Sequence, residues 1–243
     1  MEVHMNDAPA RQKSSTTNKS SHDRLRLSAM RVAMVAPFIA KDDPRFYLKG
    51  INVRPHPDGG AIITATNGHI LGAVHDKLAT CDHEVTLQIH PSIVAACRLH
   101  KGDQRELVML KGRLAVVHGH EEICIQPGDP LIDDATFPQY ERVIPRAEEL
   151  VPGLVGHFQV KYMAMLQDAV KVARKPGKSP CTINFFHKPN QGGSVGIART
   201  PVLDEFVAVL MPCRDENPDS SVPKWHANAL KALEQAPADK QAA

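Results

Sequence analysis

The sequence predicts an α+β fold built from three βαβββ units, with helices on one face of antiparallel sheets. Two observations carry this. The order strand, helix, three strands recurs three times from residue 23 onward. The breaks between strands hold turn-forming runs such as Asp58-Gly59-Gly60, Asn67-Gly68 and Lys111-Gly112.

In the first unit, residues 24–27 alternate as a strand. A helix over 28–40 follows, with Ser28 as its N-cap and Val32, Val35, Ala36 and Ile39 as its apolar positions. Three strands at 47–53, 61–66 and 70–74 complete it. The second unit repeats the order with a strand at 83–89, whose Val85, Leu87 and Ile89 share a face. Its helix, 91–99, starts on a proline suited to a first turn, and strands follow at 106–110, 114–118 and 123–126. After a connector rich in proline and aspartate, the third unit has a strand at 157–160 and a helix at 161–174 stopped by Pro176-Gly177. Strands at 182–186, 194–198 and 206–211 end it. The domain reading is therefore a disordered tail at 1–22, two units at 23–127, a linker at 128–153, one unit at 154–214, and a C-terminal extension at 215–243. That extension carries a short helix at 222–235 anchored by Trp225, Leu230 and Leu233. One helix buries a small sheet on one side only, so such units must associate through sheet edges or helix faces. An odd number of them points to self-association as a homo-oligomer, or else to a tail that caps the spare edge.

Composition narrows the function classes. The 243 residues are 42% hydrophobic, enough for one or two cored domains. No apolar run of about 18 residues exists, so no membrane span is expected. Residues 1–22 have no apolar core of a signal peptide, and five scattered cysteines without a CxxC fit a reduced, cytoplasmic chain. The 29 basic and 27 acidic residues nearly cancel, with the surplus in the first 28 residues.

No Walker A, GxGxxG, GxSxG or HExxH pattern is present, so neither an enzyme nor a cofactor is expected. His118-Gly119-His120 with Cys124 is the best metal-like grouping, but it has no fourth ligand nearby and reads as solvated loop histidines. The acid pairs Asp133-Asp134 and Glu148-Glu149 lie in the connector and solvate it. More informative is the third helix, where Lys161, Lys171, Arg174 and Lys175, with Lys178 beyond, face a single acid, Asp168. Arg31 and Lys41, and Arg98 and Lys101, add charge to the other two helices. Two readings stand side by side: ordinary solvated faces, or basic helices turned toward a phosphate backbone.

Four stretches resemble the bacterial sliding clamp, the beta subunit of DNA polymerase III. They are DPRFYLKG at 43–50, ATNGHIL at 65–71, FPQYERVIP at 137–145 and VLMPCR at 209–214, in the family's order. The resemblance covers the family's middle domain, its linker and the second half of its last domain. The first domain and the first half of the last have no counterpart, which puts closure of the usual ring in question. It implies the DNA-clamp fold and double-stranded DNA as a partner. It also implies capture of polymerase and clamp-loader subunits through short linear motifs in a hydrophobic cleft. The matching cleft positions are Leu48, Thr66, Gly68, His69 and Leu71, then Pro138, Arg142 and Val143, and finally Val209, Leu210, Met211, Pro212 and Cys213. Ile70 stands where an arginine is usual and Cys213 where a methionine is usual, so peptide preference is expected to differ. The DNA-facing positions implied are Arg45, Phe46 and Tyr47, beside Lys41 and the repelling Asp42, together with Arg31, Arg98, Lys101, Lys171, Arg174, Lys175 and Lys178. The function expected is a processivity factor; the alternative is a clamp mimic or adaptor that captures the motifs without encircling DNA.

Overall fold

The computed structural model of the protein describes residues 24–98, 104–132, 136–154, 156–173, 182–189 and 195–213. The expected tail at 1–22, the helix at 222–235, and Lys101, Arg174, Lys175 and Lys178 lie outside them.

The first unit contributes β1 (Arg26–Ser28), α1 (Ala29–Val35), β2 (Ile51–Pro55), β3 (Ala61–Thr66) and β4 (Ile70–Asp76). The second contributes β5 (Val85–Leu87), α2 (Pro91–Arg98), β6 (Glu106–Leu110), β7 (Arg113–His118) and β8 (Glu121–Ile125). The connector adds a two-residue strand, β9 (Val151–Pro152). The third unit holds α3 (Val160–Ala173), β10 (Asn184–His187), β11 (Gly196–Arg199) and β12 (Phe206–Leu210).

All strand pairs are antiparallel, in a four-stranded sheet β1-β6-β7-β8 and an eight-stranded sheet β5-β2-β3-β4-β12-β11-β10-β9. The first two units exchange their leading strands. β1 pairs with β6 of the second unit, and β5 pairs with β2 of the first. The third unit joins through an edge, β12 lying along β4 with Leu71 opposite Val209 and Ala73 opposite Val207. Alternation then sorts the side chains. Ile70, Val74, Phe206, Ala208 and Leu210 enter a core shared with Val32, Val35, Ile93 and Leu166 of the three helices. Leu71, Ala73 and Val209 face the other way, into a second apolar cluster with Phe137 and Tyr140 of the connector. Gly72 is required where the turn that follows α1 meets β4: a Cβ there would sit 2.2 Å from the ring of Phe38, which stacks on Phe206 at 6.2 Å.

Three local expectations are corrected. The first helix turns into a 3-10 turn at Ala36–Phe38, because Pro37 has no N–H to continue the α ladder. The strand expected from 47 begins only at Ile51; Phe46–Leu48 is a 3-10 turn. The strand expected at 157–160 does not form, since His157 makes one isolated bridge with Cys213 and Val160 already opens α3.

The Ser28 side chain makes no capping bond. The helix start is held instead by Asp76, whose Oδ2 accepts the Ser28 N–H at 2.6 Å. Asp76 is 1% exposed, and its other oxygen lies 3.5 Å from Arg31, so the carboxylate ties the end of β4 to α1. Arg31, 17% exposed, is thereby committed inside the fold and is not one of the solvent-facing cations expected on the helices. Asp76→Ala should remove both partners at once and lower stability by about 3 kcal/mol in urea unfolding. A loss below about 1 kcal/mol would show that this carboxylate does not fasten α1.

Candidate functional site

The hairpin between β3 and β4 is shaped by its own polar atoms. The Asn67 Oδ1 accepts the N–H groups of His69 and Ile70, each at 3.0 Å, and the Thr66 hydroxyl donates to Ile70 O and accepts from Gly68 N. Gly68 sits at φ +85°, in the left-handed region that a side chain disfavours. Its bare face has a second use, since a Cβ there would lie 2.6 Å from the Arg45 guanidinium. The hairpin therefore presents Gly68 and His69 to solvent while Thr66 and Leu71 stay buried.

β12 meets this hairpin at its far end, where the Met211 N–H donates to His69 O at 2.8 Å. Leu48, Leu71 and Val209 thus share one floor, with Leu71 and Val209 6% and 2% exposed. The connector crosses above it. Phe137 and Tyr140 are buried against the floor, and Pro138, Arg142 and Val143 stand at the surface. Of the apolar positions matched to the cleft, Val143 is 41% exposed and Met211 42%. Leu210 is a correction: it is fully buried among the core residues of the helices, because its strand neighbour Val209 takes the cleft-side position.

Pro212 and Cys213 continue past β12, where the Cys213 N–H donates to His157 O at 2.6 Å. This brings the start of α3 to the site. Tyr162 is buried beneath the hairpin, stacked on His69 with centroids 6.4 Å apart and planes 18° off parallel. Burial pushes its phenol above the usual value. Tyr162 was missed from the sequence because on α3 it reads as an ordinary core position; its contact with His69 spans 93 residues and has no local signal.

The positions expected to face DNA divide. Arg45 is held by Asp43 through Nε and Nη2 at 2.8 and 2.7 Å, and its guanidinium covers Gly68. That hydrogen bonding holds the Asp43 carboxyl well below the usual range. Arg45 consequently borders the cleft. Phe46 is half exposed and packs edge-on against Tyr47 at 5.7 Å, while Lys41, Arg98 and Lys171 are solvent-exposed. Among the described residues no three His, Cys, Asp or Glu side chains gather as a metal site, and no helix is long and apolar enough to cross a membrane.

No family model and no curated protein matches the sequence. Solved structures do match. The DNA polymerase III subunit beta of Pseudomonas aeruginosa is similar at 18% identity, over 87% of this chain and 70% of that one, with a TM-score of 0.58. Caulobacter crescentus pol III beta is similar at 18% identity over 88% and 70%, with a TM-score of 0.54. A sliding clamp of Pseudomonas aeruginosa bound to griselimycin is similar at 16% identity over 78% and 65%, also at 0.54. The chain has the sliding-clamp fold.

Within that clamp fold, the connector is fixed to the sheet by Tyr140. Burial raises its pKa to about 12, and the nearby Glu141 carboxylate adds to the effect. The folded chain therefore keeps this proton above about pH 10, where an unfolded tyrosine releases it. Stability must fall as pH rises from about 10 toward 12, by up to about 1.4 kcal/mol per pH unit. Tyr140→Phe should flatten that alkaline slope in urea unfolding measured at several pH values; parallel slopes for the two proteins would contradict it.

Proposed function

We propose that this protein is a non-enzymatic, sliding-clamp-like replication factor that captures short apolar peptide motifs of polymerase or clamp-loader subunits in the cleft and holds them near duplex DNA. The observation that carries the reading is the β4–β12 register, which sets Leu71 opposite Val209 beneath the connector. Three stretches far apart in sequence so form one apolar floor with a polar rim, the composition expected of a peptide groove. Val143 and Met211, both exposed, would offer apolar contact to two aliphatic or aromatic anchors. Griselimycin, bound by the Pseudomonas clamp, is the natural competitor to try. DNA contact would rest on Lys41, Arg98 and Lys171, non-specific and salt-sensitive, as sliding demands.

A second reading is a peptide-capturing adaptor that does not encircle DNA. It is favoured by the commitment of Arg31 to Asp76 and of Arg45 to Asp43, which removes two cations from the DNA-facing set.

In fluorescence anisotropy, a labelled clamp-motif peptide should bind the wild type and be displaced by griselimycin. Met211→Ala should weaken it about tenfold, equivalent to ~1.4 kcal/mol. Absence of binding, or equal binding by the variant, would remove the cleft from consideration. For DNA, Lys171→Ala should reduce the salt slope of duplex binding by about one. Peptide binding without any duplex affinity would select the adaptor, as would a monomer in light scattering at micromolar concentration.

A further inference from the structure

The connector that walls the cleft is undercut on its other flank. A depression of about 390 Å³, sharing none of the cleft positions, opens between the sheet and the connector. Arg54, Ile62, His75, Tyr140, Ile144 and Val207 are among the residues that line it. Tyr140 and Ile144 pack on the sheet beside Ile62 and Val207, and the depression leaves the rest of that flank open. The group that bridges the gap is Arg54, at the end of β2. Its Nη1 donates to Glu141 of the connector, and the guanidinium carbon lies 5.6 Å from the centre of the Tyr140 ring.

Arg54 is itself aimed. Its Nε and Nη2 each donate to Glu84 at 3.1 Å, and Glu84 accepts from the Asn52 side chain at 3.0 Å. Asn52 is buried in β2 and also donates to Thr86 at 3.2 Å. A polar chain thus runs from the buried sheet through Asn52, Glu84 and Arg54 to Glu141. Only a planar, forked cation can serve two carboxylates and an aromatic face together, which lysine cannot.

We propose that Arg54 is a positioning residue for the peptide cleft: by clasping Glu141 and Tyr140 it seats the connector so that Pro138 and Val143 stand as the cleft wall. The proposal rests on the peptide-capture reading above. An exposed ion pair contributes little by itself, but here it biases a seated and a lifted connector, and peptide affinity scales with the seated fraction. The polar and ring contacts of Arg54 are with Glu84, Glu141 and Tyr140, none of them a cleft position, so its effect on a peptide travels through the connector.

The test uses the full chain as wild type, Arg54→Leu, Arg54→Lys, Glu141→Gln and the Leu/Gln double variant. Two readouts are taken: amide hydrogen exchange at residues 140–144 without peptide, and anisotropy with the labelled clamp-motif peptide. Expected are faster exchange and about threefold weaker peptide binding in Arg54→Leu and in Glu141→Gln. The double variant should be no worse than Arg54→Leu, and Arg54→Lys intermediate. Unchanged exchange in Arg54→Leu would overturn the clasp whatever the peptide does. Faster exchange with full affinity would overturn the positioning role and leave peptide capture standing. If the wild type itself binds no peptide, peptide capture fails and the positioning role fails with it. Should Arg54→Leu not fold, Glu141→Gln carries the same comparison, because Glu141 is on the surface.

Discussion

The antiparallel contact between β4 and β12 is where most of this structure converges. Two edge strands from units more than a hundred residues apart satisfy each other's backbone groups, and the pairing settles both faces of the eight-stranded sheet. On one face Ile70, Val74, Phe206 and Leu210 close the core against the helices; on the other Leu71 and Val209 make the cleft floor. Because side chains alternate along a strand, a slip of one residue would turn every one of them to the wrong side. Gly72 and Phe38 support this register, since the Phe38 ring lies where a side chain at position 72 would stand.

The exchanged leading strands add a second constraint. With β1 in the sheet of the second unit and β5 in that of the first, neither unit can close its sheet alone. Two edges are also covered by the chain itself: Thr80 pairs with Arg26 beside β1, and residues 130–132 hydrogen-bond along β5. The helices α1, α2 and α3 then share one core instead of three, which is how units too small to bury themselves become one folded body.

Three arginines of this chain, two of them expected to face DNA, are spent on internal geometry. Arg31 neutralises the Asp76 carboxylate that starts α1, Arg45 covers the bare Gly68 under the direction of Asp43, and Arg54 joins the sheet to the connector. A guanidinium does this well because it keeps its charge when partly buried and offers several donors in one plane. The near-zero net charge only reflects near-equal numbers of bases and acids, whereas position decides which cations are exposed, as Lys41, Arg98 and Lys171 are.

Local chemistry was readable from the sequence. Alternation and turn residues located β3 and β6 to the residue, Pro91 marked the start of α2, and the run from Thr66 to Ile70 already contained the side-chain and backbone partners that shape its hairpin. What depends on partners distant in the chain was not readable. Nothing in His157–Val160 says that His157 bridges to Cys213, nothing near Ser28 names Asp76 as its cap, and Leu210 and Val209 look alike until β4 decides which faces the helices. Tyr162 entered the site by stacking on His69, and Arg45 moved to the cleft border because Gly68 left it room. The sequence by itself determined the kinds of element and their order, since propensity and turn geometry act within a few residues. The tertiary structure decided which face is floor, which cation is exposed and which strand is an edge, since pairing and burial act across the whole chain.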